Sequence, residues 1–487
     1  MVYGKEILSP WESITNPATL KQLRTFVAAK EAQADSAARA DGRGMPAEYK
    51  MFFDAANKGD SLTVANLFLK IGHENGGLQG NYTNKVDTTF RGIRWEALKE
   101  IWGAYAAFVD GDEKYSELFG REIIPSIPPG SIYFGGSDPG RFIITALQKS
   151  QIKGELFFTL TQNALTDVSY LDYLRSMYGK EIHIPTQAED ERCFNDYYSD
   201  LRIRFKNHQL KQGEDVTEES NGEFQVSGTI AVMKIDALVA KAIFDKETSR
   251  GFYVEESVPL DWMYPYLEPH GLILKLNHKV LETLSNETIE RDHDYWSKIV
   301  SPMIGDWLNK DTSLKSVSAF VNRVFLGHDF KDFQGDPVFE ENGYSRRMFA
   351  KGRAAIAGLY AWRGEHSHNK AESRQMKREA DFAFRQAWVL CPDSPEVALR
   401  YIDFLANDSK RMDDAILVAK TCLPMDPRDD ELSNLVSNLE QFKKQSDEWA
   451  EYTNKVAAME NEVKVNPADY TNLFSLTAYY LQTQQTN

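Results

Sequence analysis

The amino-acid sequence predicts an α/β plus all-α protein: a small, mainly parallel sheet domain with a helical region before it and tetratricopeptide-like helical repeats after it. Three observations support this. Helical patterns fill residues 1–125, short apolar strands alternate with helices over residues 126–330, and helices return over residues 331–487 with a repeating pattern. A chain of 487 residues exceeds one hydrophobic core, so we expect these three segments to be separate domains.

The composition argues against several functional classes. The chain carries 56 Lys and Arg against 72 Asp and Glu, a formal net charge of −16, which disfavours nucleic acid as a partner. Its three cysteines, Cys193, Cys391 and Cys422, are far apart and form no CxxC pair, so a disulfide framework and a zinc ribbon are not expected. We predict no metal and no cofactor.

Cellular location is left open by the sequence. No stretch approaches the roughly 18 apolar residues of a membrane span, and the first residues lack the apolar core of a signal peptide. We therefore expect no membrane span in this chain. The protein is cytoplasmic by this argument, or extracytoplasmic if an anchor or leader was removed, and its oligomeric state is not predicted.

The N-terminal region is predicted to contain helices and one long loop. Helical patterns cover residues 19–40, 47–57, 61–71 and 95–109, and a Gly-, Asn- and Thr-rich loop covers residues 76–89. This region is interpreted as a helical cap or docking arm.

The middle region is predicted to contain strand–loop–helix units. Strands are expected at 131–134, 156–160, 251–255 and 272–276, with a further strand at 181–184. Helices are expected at 141–149, 168–178, 188–207 and 229–245, a polar loop at 211–221 and a short helix at 260–267. Its aromatic residues Trp262, Tyr264 and Tyr266 are expected to include core anchors.

The loop between the first strand and its helix is the first candidate ligand site. Because it follows a strand and opens a helix, its backbone amides could hold an anion, although a tight turn is the competing interpretation. It matches neither a dinucleotide-binding nor a phosphate-binding glycine motif. The candidate residues are Gly135, Gly136, Ser137, Asp138, Gly140 and Arg141, with Arg141 expected to add a charge-assisted contact.

The loop after the second strand is the other half of this candidate site. Loops at the carboxyl ends of neighbouring parallel strands line one crevice, so we expect Thr161, Gln162, Asn163 and Asp167 to face the glycine-rich loop. Asp167 could instead only cap the following helix.

Two acidic clusters are further candidates for chemical sites. Glu255, Glu256 and Asp261 follow a predicted strand and could perform acid–base chemistry on a sugar, but solvated carboxylates and a helix-capping acid are the simpler interpretation. The sequence Asp292-His293-Asp294 resembles a metal motif, yet alternate residues of a helix point to different sides. Metal binding is therefore not predicted there.

The C-terminal region is predicted to form stacked helical pairs. Small residues precede Pro392 and Pro427, whose separation of 427 − 392 = 35 residues is close to the tetratricopeptide period. They are Ala380, Ala383, Ala387, Ala415 and Ala419. Such a stack presents a concave face, here with Arg400, Tyr401 and Phe404, and we expect a protein partner on it. Some of these three side chains must instead fill the core between the helices, and the sequence does not say which.

The order of these segments resembles a known protein family. Residues 127–147, 156–178, 251–276 and 333–337, followed by helical hairpins, are similar to the C-terminal half of large bacterial membrane proteins. Those proteins have a glycosyltransferase-like membrane half, similar to protein O-mannosyltransferases, and a tetratricopeptide-like tail. The resemblance implies an extracytoplasmic accessory module. The membrane half is missing from this chain, so no catalytic residue carries over.

Two functions remain after these observations. The first is a non-catalytic binding or scaffolding protein that meets a protein partner through its helical repeats. The alternative is an enzyme or sensor that binds a sugar or a phosphorylated ligand in the α/β crevice. Because no complete catalytic motif occurs in the sequence, the first is preferred.

Overall fold

The computed structural model of the chain describes residues 16–40, 44–74, 93–148, 156–211, 213–218, 224–425, 430–467 and 469–484, together with residues 14 and 42. The loop predicted at 76–89 and Pro427 lie outside these residues. The described chain is mostly helical and contains a small mixed sheet, which confirms the combination of α/β and helical structure.

The N-terminal region is helical, as predicted. It contains α1 (Pro17–Ala40), α2 (Ala47–Lys58), α3 (Ser61–Glu74), α4 (Ile93–Asp110) and α5 (Glu113–Ile123). Asp112 caps the start of α5: its side chain accepts a hydrogen bond from the Tyr115 amide and so satisfies one free donor of the first turn. Apolar side chains such as Phe26, Phe52 and Tyr105 are fully buried between these helices.

The central sheet has five strands in the order β2-β1-β5-β7-β6. The strands are β1 (Ile132–Gly135), β2 (Phe158–Thr161), β5 (Phe252–Glu255), β6 (Leu267–His270) and β7 (Ile273–Leu276), and a separate hairpin pairs β3 (Asp215–Glu218) with β4 (Phe224–Ser227). The first strand runs parallel to β2 and β5, whereas β7 runs antiparallel to β5 and β6. The sheet is therefore mixed rather than mainly parallel.

Three parts of this region differ from the prediction. Residues 181–184 form no strand, because the amides of Glu181 and Ile182 bond to the Tyr178 carbonyl at the end of the preceding helix. The polar segment 211–221 contains β3, whose paired residues are largely exposed and lack apolar alternation. The predicted strands also omit β6, where Pro269 is compatible only with an edge position.

The four helices predicted for the middle region are present with similar bounds. They are α6 (Asp138–Leu147), α7 (Val168–Tyr178), α8 (Gln187–Lys206) and α9 (Thr229–Lys246), and α10 (Asn286–Ile304) and α11 (Leu314–Val321) follow them. Their starts have side-chain caps where the sequence supplies Ser, Thr or Asp, as in the reciprocal capping box of Thr186 and Glu189. A short 3-10 helix, Asp261–Tyr266, buries Met263, while Trp262, Tyr264 and Tyr266 are only half-buried.

The C-terminal helices are α12 (Pro337–Glu341), α13 (Gly343–His366), α14 (Lys370–Leu390), α15 (Pro395–Ala406), α16 (Met412–Cys422), α17 (Asp430–Val465) and α18 (Tyr470–Gln484). The chain divides into two compact units, residues 1–310 with 330–391 and residues 311–329 with 392–487. The boundaries predicted at 125/126 and 330/331 remain predictions. The first C-terminal hairpin, α13–α14, belongs to the same unit as the sheet.

Within the first unit, α13 is joined to α10 by a buried ion pair. Arg353 donates to Asp292 at 2.8 Å, both side chains are 0% exposed, and the Tyr360 hydroxyl donates to the same carboxylate at 3.0 Å. Arg363 donates to the carbonyls of Leu281 and Leu267 beside the antiparallel edge of the sheet. These contacts explain why α13 belongs with the sheet.

Within the second unit, α11 packs on α16 although the two helices are far apart in sequence. Ser318 and Thr421 share a hydrogen bond of 2.7 Å between their hydroxyls, and Val317 and Val321 are fully buried. The helices α15 and α16 form one neighbouring pair, and α17 and α18 form another.

Candidate functional site

The carboxyl ends of three parallel strands lie side by side at one edge of the sheet. Gly135, the last residue of β1, is in register with Thr161 of β2 and with Glu255 of β5. The chain leaves β1 towards β2 on one side and later adds β5 on the other side. Ligands of open α/β sheets bind in the crevice at such a switch of strand order, so this point is the candidate site.

Ser137 joins the glycine-rich loop to the end of β5. Its hydroxyl accepts a hydrogen bond from the Gly140 amide at 3.1 Å and thereby caps α6. The same hydroxyl donates to the Glu255 carboxylate at 2.7 Å, and the Ser137 amide donates to it at 3.2 Å. The N-terminal end of α6 therefore holds a carboxylate of the protein itself, at a position where helix amides favour negative charge.

The glycines of this loop make room for two glutamates. A Cβ atom added at Gly140 would overlap the Glu255 carboxylate, and one added at Gly136 would overlap the Glu256 carboxylate. The Gly140 carbonyl also accepts a hydrogen bond of 2.9 Å from the Tyr133 hydroxyl. The close approach of Glu255, at the end of β5, and of the following Glu256 accounts for the glycines without any phosphate.

The second predicted loop does face the first one. Asn163 donates from Nδ2 to the Gly136 carbonyl at 3.2 Å and to the Glu256 carboxylate at 2.9 Å. Thr161 and Gln162 are each 1% exposed, and the Thr161 amide donates to the Tyr170 hydroxyl at 2.7 Å. Among the described residues, the Thr161 hydroxyl and the Gln162 side-chain oxygen have no hydrogen-bond partner. Two buried acceptors at the end of β2 thus remain unsatisfied within the described structure.

Burial keeps Glu255 protonated to an unusually high pH. Loss of hydration raises the pKa of this carboxyl to about 7, the charge of Glu256 acts in the same direction, and the hydrogen bonds from Ser137 oppose it. Strongly shifted carboxyl groups in a crevice mark candidate sites for ligands or proton transfer.

Asp236, on α9, is a second buried carboxyl, near the turn after β2. It accepts a hydrogen bond of 2.7 Å from the Thr166 amide, and burial raises its pKa to about 7. This residue is not among the predicted site residues. A signal was present, because Asp236 is a lone acid within the apolar stretch of α9.

Arg141 does not take the role predicted for it. Its guanidinium is 2% exposed and donates to Glu96 on α4 at 3.2 Å, with Glu100 at 3.9 Å. Glu100 also pairs with Lys30 on α1 at 2.5 Å. Because a buried cation requires a nearby anion, these acids hold Arg141 between the helices, and the expected anion contact in the crevice is not supported.

The remaining residues of the candidate crevice have local roles. Asp167 caps α7 by accepting from the Ser169 amide at 2.8 Å, which is the simpler of its two predicted roles. Asp138 is exposed in the first turn of α6. Asp261 pairs with Lys234 and is not joined to the crevice by any contact among the described residues.

The residues predicted to bind a protein partner are only partly accessible. Tyr401 is 0% exposed and belongs to the core of the second unit. Arg400 and Phe404, on the same helix, are half-buried. The expected partner surface at these three residues is therefore wrong for Tyr401, because its ring fills the space between helices instead.

The acidic motif at residues 292–294 is structural. Asp292 is paired with Arg353, and His293 lies 2.7 Å from Glu379. No group of three metal-ligating side chains occurs within the described part of the chain. Over the same residues, no helix combines the length and the apolar character that a membrane crossing requires.

Comparisons of this chain with protein-family models, with curated proteins and with solved structures found no match. The function is therefore inferred from the arrangement of residues in the crevice.

Proposed function

We propose that the sheet-containing unit binds an uncharged, hydroxyl-rich ligand, such as a sugar, in the crevice at the carboxyl ends of β1, β2 and β5. The observation that supports this proposal most directly is that the same edge of the sheet carries the buried Glu255 carboxyl and the buried, unsatisfied acceptors of Thr161 and Gln162. Sugar hydroxyls donate hydrogen bonds, and carboxylate and amide oxygens accept them.

The charges of the crevice favour a neutral ligand over a phosphorylated one. Glu255, Glu256 and the exposed Asp138 surround the glycine-rich loop. Of the cations near the loop, Arg141 is held by Glu96 and Glu100, and Lys351 acts on the charge of Glu255. A phosphate would meet more carboxylates than available cations, which is costly in a partly buried site.

The proposal is tested by calorimetric titration with neutral sugars and the corresponding sugar phosphates. We expect a neutral sugar to bind, its phosphate to bind more weakly, and Asn163→Ala to weaken binding roughly tenfold, as expected for loss of one hydrogen bond of about 1.4 kcal/mol. The control is Glu191→Gln, an exposed carboxylate on α8. Tighter binding of the phosphates, or equal binding by wild type and Asn163→Ala, would refute the proposal.

A second candidate function is protein binding through the C-terminal helices. It is favoured by large apolar side chains that remain exposed on α17 and α18: Phe442 is 56% exposed, Trp449 60% and Phe474 77%. Apolar patches of this kind mark interaction surfaces. The tetratricopeptide-like character of the tail, the extracytoplasmic location and the relationship to the glycosyltransferase-like membrane family are parts of this same proposal.

A further inference from the structure

Helix α17 packs against a different helix at each of its ends. It has 36 residues, or roughly 54 Å at 1.5 Å per residue. Its first turns lie beside α16, where Leu432, Val436 and Leu439 are buried. Its later turns contact α18, where the rings of Tyr452 and Tyr479 stack at 5.2 Å.

Apolar residues also recur at every seventh position of α17. These residues, which we call the α17 seam, are Leu435, Phe442, Trp449, Val456 and Val463. Phe442 and Trp449 are the most exposed of them, at 56% and 60%. A straight helix drifts by about 20° per heptad from a strict seven-residue repeat. Such a repeat stays on one side only when the helix coils around a helical partner, so the seam fits a helix rather than an extended peptide.

We infer that the partner is a second copy of this chain, with the two α17 helices antiparallel. Glu448 and Lys455 each directly precede a seam residue and are exposed. Within the chain, Glu448 lies 3.9 Å from Lys444, and the Lys455 ammonium lies 4.9 Å from the ring centroid of Tyr479. In an antiparallel pair centred near Trp449, they lie on the same flank, and Glu448 of one copy meets Lys455 of the other twice by symmetry. This local match matters because each copy has a net charge of −16, which opposes association in general.

The apolar surface available is sufficient for such a dimer. Alongside Phe442 and Trp449, α18 exposes Tyr470 at 79% and Phe474 at 77%. A buried aromatic side chain covers about 150–250 Å², so these four present on the order of 500 Å² in each copy. Two copies together then reach about 1,000 Å², the lower limit for a specific interface. Two α17–α18 hairpins would form a four-helix bundle.

The inference is independent of the crevice and is tested by the mass of the full-length protein in solution. Sedimentation velocity over a dilution series should show a monomer–dimer equilibrium. The double variant Phe442→Ser/Trp449→Ser should weaken dimerisation by at least about a hundredfold, because two aromatic anchors are lost. Phe194→Ser, which changes a 49% exposed aromatic residue on α8, is the matched control and should leave the dimer intact.

A charge exchange identifies the partner and its direction. Glu448→Lys and Lys455→Glu should each weaken the dimer several-fold, and the double exchange should restore it, because each pair then forms with reversed signs. A wild-type protein that is monomeric at all concentrations would overturn the inference and leave the seam for another helical protein. The inference would also be overturned if Phe442→Ser/Trp449→Ser left the dimer unaffected, or if the double charge exchange did not restore dimerisation.

Discussion

The Glu255 carboxyl connects the chemistry of the crevice to the stability of the fold. It ends β5, accepts from both donors of Ser137 and is 3% exposed. Its folded-state pKa of about 7 lies above its ordinary value of 4.5. Between these two values the folded protein holds a proton that the unfolded chain releases. The free energy of unfolding must therefore fall as the pH rises through this window.

We predict that wild-type stability decreases from about pH 5 to pH 7.5 and that Glu255→Gln reduces this decrease. A shift of about 2.5 pKa units corresponds to on the order of 3 kcal/mol, and glutamine keeps an acceptor for Ser137 without a titrating proton. Urea unfolding at several pH values measures the slope. Asp236 should contribute a slope of the same sign, since its pKa is also raised to about 7. An unchanged slope in Glu255→Gln would show that this carboxyl does not titrate in the window.

At the scale of elements, the turn between β1 and α6 is fitted to β5. The Cβ of an alanine at position 140 would overlap the Glu255 carboxylate. We predict that Gly140→Ala lowers the free energy of unfolding by about 1–3 kcal/mol, the usual cost of overpacking. The cost should shrink in a Glu255→Ala background, because the overlapping group is then absent.

The control for this prediction is Gly343→Ala at the start of α13. An added Cβ there meets its nearest atom, on Arg346, at an ordinary distance of 3.6 Å. Thermal unfolding of the four variants completes the comparison. If Gly140→Ala and Gly343→Ala cost the same, the fit between the turn and β5 would not be a significant constraint.

Most elements could be predicted from the sequence, whereas the chemistry of the crevice could be predicted only in outline. Periodicity located β1, β2, β5 and the helices, since each buries a regular apolar face. The strands β3 and β6 lack that pattern, the first being polar and the second containing Pro269. Ser137 and Glu255 are hydrogen-bonded although they are 118 residues apart in the sequence. Their contact follows from the strand order, which local sequence patterns do not encode.

Arg141 and Tyr401 show that the type of a single residue does not determine whether its side chain lies at the surface or in the core. Each was expected at a binding surface, but both are buried, at 2% and 0% exposure. A basic or aromatic side chain on an amphipathic helix suits either a surface or a core. The choice depends on the neighbouring helix, here the acidic side chains of α4 in the case of Arg141.

At the scale of the whole molecule, the division into two units determines which truncations should be tolerated. The second unit contains residues 311–329 as well as the C-terminal helices. We predict that removing residues 430–487 leaves a folded protein, because α11 keeps its contact with α16. Removing residues 412–487 should instead expose Val317 and Val321. Binding of a hydrophobic dye and the sharpness of thermal unfolding distinguish the two. Equal dye binding by both truncated proteins would contradict this role of α16.

The pairing of α11 with α16 also has a consequence for how the protein is made. Ser318 and Thr421, which join the two helices, are 103 residues apart. At a synthesis rate of about 5–20 residues per second, α11 leaves the ribosome on the order of 5–20 s before α16 follows. During that interval its apolar face is open to chaperones or to neighbouring nascent chains. Slower translation after residue 329 would lengthen this exposure and lower the yield of folded protein, while the finished molecule would be the same.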